Sequence, residues 1–295
     1  MFSFQLSAEQ QEFRDTVKDF VKREVKPVAN HPDRLQAEDP HFVPAILEQA
    51  SQMGLRTLAL SEDLGGAGAD YLTSCVLAEE LAAGDIGFAA TLARTSELGH
   101  VLFDQAMSEA QRQQFLSKFL EDDHFHLAYA GSDIECDDGG WNYHRAEKSE
   151  VEVPVVATKQ GDDLVLNGTY AFVANAPLAK LIAVQVKTDA QAVGLAGVQI
   201  VLVPAGTPGM SVKEPAKVET DANGEQYYRW FHGTGAAVSF KDCKVPAANV
   251  LAGRSQLFGA AAASGRGSPL VQALNVGLGR AAYEAAIDYA RIRVQ

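Results

Sequence analysis

Cysteine is scarce. The chain carries three in 295 residues, Cys75, Cys136 and Cys243, widely spaced and with no C-x-x-C pair. That count and spacing exclude a disulfide framework or a zinc ribbon and fit a reducing compartment. Positive charge is also in deficit: 25 Lys and Arg face 38 Asp and Glu, for a net charge of −13. Nucleic acid and anionic membrane surfaces are therefore excluded as expected partners. Long apolar runs are missing, so no membrane span is expected. The opening MFSFQLSAEQQEFRD turns polar at once and shows neither a signal-peptide core nor a transit pattern. A cytoplasmic location is expected. No internal repeat is visible, and no G-x-G-x-x-G sits between a strand and a helix, which disfavours a Rossmann site. What remains is ordinary globular material, 47% hydrophobic and 21% charged.

The first stretch reads as helices. Ser7 and Gln10 make a capping box, and Phe13, Val17, Phe20, Val21 and Val25 follow at helical spacing toward a stop at Pro27. A second helix runs through Val43, Ile46, Leu47 and Met53, with Gly54 as its C-terminal cap. Gly65, Gly66 and Gly68 make LALSEDLGGAGAD a tight turn. Helices are expected near 71–83 and 86–104. Ser108 and Gln111 form a second capping box, opening a helix with Phe115, Leu116, Phe119 and Leu120 inward.

Near residue 125 the pattern changes to short β-branched segments. A hairpin is expected around Gln160–Asp163, with LIAVQV, VQIVLVP and AAVSF as further strands. After Pro246 the chain turns helical again, with Leu270, Leu274, Leu278, Ala282, Ile287 and Tyr289 as apolar positions. No stop signal closes that last helix, and a cut within a longer fold is expected. The fold class is α+β: an all-α N-terminal domain over 1–122, an antiparallel β-barrel-like domain over 123–245, and the start of a helical bundle over 246–295.

Several segments carry a resemblance. They are LSAEQQEFRDTVKDFVKREVKPVA, MGLRTLALSEDLGGAGAD, EELAAGDIGFAATLA, LVLNGTYAFVANAPLAKLIAV, FKDCKVPAANVLA and GLGRAAYEAAIDYARIRVQ. Together they resemble the acyl-CoA dehydrogenases over essentially the whole chain. The exit segment at 240–252 and the final helix are the most specific. Ser61 stands where that family usually has a proline. The resemblance implies FAD, an acyl-CoA substrate, and α,β-dehydrogenation of the thioester with hydride transfer to the flavin. It also implies assembly with a second copy or a related chain, because the family's flavin sites are completed across subunits.

The same resemblance implies the cofactor-binding residues. Tyr129, Ala130, Gly131 and Ser132, followed by Asp133, fall on a shortened flavin loop. Phe172 falls on the flavin-stacking aromatic, Ala174 on a position where a threonine is common, and Asn175 on the following asparagine. Ser132 and Arg266 are the substrate-binding candidates, Arg266 because an arginine before a helix N-terminus can hold a phosphate. Each also has a plainer reading as a turn, a core aromatic or a linker. Arg229 in DANGEQYYRWFHGT reads better as part of a surface hairpin. No catalytic base is assigned: Glu284 pairs more naturally with Arg280, four residues earlier. His124, His126, Cys136 and the carboxylates at 121–123 and 133–138 have no established ligand spacing, so no metal is assigned. Two function classes remain: a flavin-dependent acyl-CoA dehydrogenase acting on a fatty, aromatic or steroid-derived thioester, or a non-catalytic, flavin-poor partner subunit of one.

Overall fold

The computed structural model describes residues 5–29, 42–131, 153–189, 191–192, 197–214, 218–220, 223–224, 226–228, 235–253 and 268–293. The helical block opens with α1 (Ala8–Phe20), capped by Ser7 and Gln10 in the expected reciprocal box. The helix does not stop at Pro27. It passes through a π turn at Val21–Val25 and resumes as α2 (Lys26–Ala29). Pro27 has no amide to donate and its ring crowds the carbonyl four residues back, so a looser turn just before it is the accommodation the chain uses. Val17, Phe20, Val21 and Val25 are buried, whereas Phe13 lies outside that face, 42% exposed.

Helix α3 (Phe42–Gln52) buries Ile46 and Leu47. It ends at Gly54, whose φ of 79° is the left-handed conformation expected of its cap. The glycine turn folds as two short 3₁₀ segments, Leu55–Thr57 and Glu62–Leu64. Arg56 is buried here and donates to the carbonyls of Phe119 (2.5 Å) and Phe125 (3.2 Å), with its guanidinium over the Phe119 ring. It thereby caps the C-terminal end of α6 (Glu109–Glu121), where carbonyls lack helical partners. Between these lie α4 (Tyr71–Ala82) and α5 (Ile86–Gly99), capped by Asp70 and Asp85. Helix α5 runs into a seven-residue π segment, His100–Ala106.

The main sheet has seven strands: β1 (His126–Ala130), β2 (Val155–Gln160), β3 (Asp163–Ala174), β4 (Ala179–Lys187), β5 (Val198–Pro204), β6 (Met210–Lys213) and β9 (Gly235–Pro246). A short pair, β7 (Val218–Thr220) and β8 (Gln226–Tyr228), stands apart. The β2–β3 hairpin turns at Gln160–Asp163 as expected. Two expectations are corrected. The sheet is mixed, because β1 runs parallel to β4 and β2 also meets β4 in parallel at Val156–Lys187. Among the described residues it is also open, in the order β1-β4-β2-β3-β9-β6 with β5 on β4, so no barrel closes. The HLAYA segment of β1 is too short to announce a strand alone; pairing with the buried β4 makes it one.

The chain returns to the helical block as α7 (Pro269–Ile292), capped by Ser268 with proline at its first position. Its buried stripe is Leu270, Leu274 and Gly277, at i, i+4 and i+7. The apolar positions beyond it do not continue that stripe: Leu278, Tyr283, Tyr289 and Ile292 are exposed. Gly277 is the contact point, since a Cβ there would overlap the Glu79 backbone carbonyl of α4. Next to it Arg280 reaches Glu79 (3.0 Å) and Glu80 (2.9 and 2.6 Å). The expected Arg280–Glu284 pair is present but long, at 3.9 Å. Bonding across to α4 offers Arg280 a partly buried, two-toothed carboxylate that its own helix cannot supply.

Candidate functional site

Among the described residues, Tyr129, Ala130 and Gly131 lie at the far end of β1, and Asn175 reaches β1 near its start, at the Leu127 carbonyl. At the far end, Ala130 is fully buried in the core between the sheet faces, so its side chain is not available to a ligand. Tyr129 points to the opposite face and packs against the helical side. Its ring lies over Gly131, where a Cβ would overlap the phenol. Ser132, Asp133, Arg229 and Arg266 lie outside the described residues.

At the near end, the β3–β9 register slips between Tyr170 and Val173. Tyr170 and Val173 both face inward, and the extra residue turns Ala171 and Phe172 outward together. Phe172 is consequently 58% exposed, although its strand is long and otherwise alternates. Its ring rests on Gly235 at the start of β9, in space a Cβ would fill. The Tyr170 hydroxyl donates to the Gln185 carbonyl at 2.7 Å, and burial, then Tyr129 nearby, pushes its pKa well above the usual range.

Asn175 ends β3 in the left-handed region, with φ 65°. Its side chain is buried, and Nδ2 is within reach of the Thr91 carbonyl (3.0 Å), Thr95 Oγ1 (3.3 Å) and the Leu127 carbonyl (3.4 Å). Thr95 Oγ1 also meets Nδ1 of the buried His126 at 3.2 Å. Desolvation, then the Arg56 and His124 charges, depress the His126 pKa to about 4. One asparagine therefore fixes the end of β3 against both α5 and β1, which sets where Ala174 and Phe172 sit. Asn175 acts from within the fold, through its protein partners.

The other face of α5 lines a cavity of about 400 Å³ shared with α4 and α7. Leu77, Leu81, Leu92 and Leu270 form apolar walls, and Ser74, Glu97, His100 and Gln105 line it with polar groups. This volume is at the small end of ligand pockets, which run from roughly 300 to 1,000 Å³. The sequence reading missed His100 and Gln105. They stand five apart, and only a π turn brings such a pair together. Of the histidine-acidic loop, His124 lies 3.8 Å from Glu48 and His126 is taken up by Thr95. Cys136 and residues 133–138 are outside the described residues.

A capped helical block, a mixed sheet that turns an aromatic outward on a bulge, and a helix returning to the block define an acyl-CoA dehydrogenase-type architecture. The comparisons agree. Residues 7–123 match the family described as acyl-CoA dehydrogenase, N-terminal domain. The mitochondrial isobutyryl-CoA dehydrogenase of Dictyostelium discoideum is 26% identical over 291 residues, covering 98% of this chain and 64% of that protein. The butyryl-CoA dehydrogenase structure from Megasphaera elsdenii superposes with a TM-score of 0.75 at 25% identity, over 100% of this chain and 72% of that one. PigA in its FAD complex shares the fold, with a TM-score of 0.76 at 20% identity, over 100% of this chain and 71% of that one. The chain is similar in sequence and fold to acyl-CoA dehydrogenases, and residues 7–123 carry the match to that family's N-terminal domain. It spans just under two thirds of the length of the Dictyostelium relative. Among the described residues no helix is long and apolar enough to cross a membrane.

Proposed function

We propose that this chain binds FAD and an acyl-CoA thioester and takes part in α,β-dehydrogenation of that thioester. The observation that carries the proposal is Phe172. A large aromatic is turned outward by a bulge, against a glycine, at the position where the family resemblance implies a flavin platform. Exposed aromatic faces of this kind are suited to stacking on a flat ring system. The residues present thus fit the cofactor: Phe172 would hold the flavin face, and the backbone at Gly131 would lie along it.

Bound FAD would supply the hydride acceptor for the β carbon. The chain's own part is positioning. Asn175 holds the end of β3, Gly235 leaves the Phe172 ring its place, and the cavity between α4, α5 and α7 takes the apolar acyl group out of water. No base is assigned. Glu284 is committed to Arg280 and, at 3.7 Å, to Lys26. Assembly with a second copy or a related chain is part of the proposal. The exposed Leu278, Tyr283, Tyr289 and Ile292 of α7 supply apolar surface for it.

The test is anaerobic addition of short- and medium-chain acyl-CoA thioesters to the FAD-loaded protein. Bleaching of the flavin absorbance is expected. Bound flavin that no thioester bleaches would overturn the dehydrogenation reading.

A further inference from the structure

His100 is held at the wall of the α4–α5–α7 cavity by a relay that begins at Ser61. The Ser61 hydroxyl donates to Asp104 Oδ1 at 2.6 Å, and the Ser61 amide reaches Oδ2 at 3.2 Å. Asp104 Oδ2 in turn lies 2.6 Å from His100 Nδ1, and Gln105 Nε2 lies 2.7 Å from His100 Nε2. The Asp104 side chain is largely buried, at 12% exposure, while His100 is 42% exposed and Gln105 also faces solvent. The π segment makes this possible, since it sets both the i+4 and the i+5 side chain against the same ring. Ser61 has φ −61° and ψ 151°, a backbone shape that proline would also adopt. Proline there would supply neither the amide hydrogen nor the hydroxyl. The serine keeps the turn and adds the two bonds that hold Asp104.

The chemistry at Nε2 follows. A carboxylate can only accept, so the neutral His100 carries its proton on Nδ1 and leaves Nε2 as an acceptor. The Gln105 amide now donates to it from the exposed side. A ligand in the cavity that displaces Gln105 must bring a donor of its own. A hydroxyl does this and a ketone does not. Glu97 beside His100 on the cavity wall disfavours an anionic group at the same place.

Resting on the proposed acyl-CoA reading, we infer that the cavity selects acyl groups that carry a hydroxyl on an otherwise apolar body, recognised by His100 Nε2. The test is calorimetric titration of the full chain with octanoyl-CoA and with a series bearing one hydroxyl at successive even carbons. Wild type, His100→Phe and Ser61→Pro are compared, with thermal unfolding run alongside. The expected result is one hydroxylated thioester binding about tenfold tighter than octanoyl-CoA, as befits one directed hydrogen bond. That preference should vanish in His100→Phe and shrink in Ser61→Pro, each measured as the ratio of hydroxylated to plain octanoyl-CoA affinity within the same variant. Octanoyl-CoA binding with no hydroxyl preference at any position, or a preference that survives both substitutions, overturns the inference and leaves the proposed function standing. No thioester binding at all overturns both.

Discussion

Arg280 of α7 and Glu80 of α4 meet through two hydrogen bonds, of 2.9 and 2.6 Å, one turn from the point where Gly277 lets the two helices touch. The pair sits where the returning helix must be held against the helical block, because only Leu270, Leu274 and Gly277 of α7 are buried. Glu80 is nearly buried, with its side chain 6% exposed, so removing its partner leaves a carboxylate with poor solvation. Arg280→Ala is expected to cost about 2 kcal/mol of stability, read as a lower urea midpoint. Gly277→Leu is expected to displace α7 although leucine is the better helix former, which limited proteolysis of α7 would detect. Unchanged unfolding in both variants would contradict this account of the α4–α7 contact.

Asn175→Ala removes the donor shared among Thr91, Thr95 and Leu127 and puts alanine, which tolerates the left-handed region less well than asparagine, at φ 65°. Buried acceptors are left with weaker partners and the left-handed backbone is strained. A loss of about 3 kcal/mol is expected. Asn175→Gly should recover part of it by relieving the strain alone. Denaturant titration of the three proteins separates the two contributions.

His126 gives the protein an acid sensitivity with a definite sign. Its pKa in the fold is about 4, below the 6.5 of the free side chain. Between those values the unfolded chain binds the proton more readily than the folded one. Stability is therefore complete above about pH 6.5 and falls as the pH drops toward 4, by up to about 3 kcal/mol. Urea midpoints at a series of pH values should show this slope, and His126→Gln should flatten it. An identical slope in the variant would assign the acid sensitivity to other groups.

Gly235→Val should disturb Phe172 without disturbing the core, because the added atoms enter the space of an exposed ring. Flavin affinity is expected to fall by about tenfold, the scale of one aromatic contact, with little change in melting temperature. A large stability loss with unaltered flavin affinity would place the Phe172–Gly235 contact outside the cofactor site.

The parts of this fold set by neighbours along the chain were legible in the sequence. Ser7 with Gln10 and Ser108 with Gln111 cap helices as read, Gly54 ends one, and the hairpin turns at Gln160–Asp163. The parts set by distant partners were not. His126–Ala130 becomes a strand through β4, more than fifty residues on, and its parallel entry, together with the parallel β2–β4 pair, makes the sheet mixed. Leu278 and Tyr289 have the spacing of buried residues but remain exposed, with the Arg293 guanidinium over the Tyr289 ring at 5.9 Å. At the site, Phe172 and Asn175 were named from resemblance, and the structure adds the physical arrangement: a bulge that exposes one and a buried network that holds the other. The Ser61 substitution was visible as an odd residue in a glycine turn. Its bond to Asp104 was not, because that contact joins two segments forty-three residues apart through a π turn that no periodicity announces.

The most direct measurement is flavin binding by the purified full chain. After incubation with FAD and removal of the excess by gel filtration, the account predicts a protein-bound flavin spectrum near one equivalent per chain, markedly reduced in Phe172→Ala and retained in His100→Phe. Protein that emerges colourless, or that binds FAD equally well without the Phe172 ring, would contradict it.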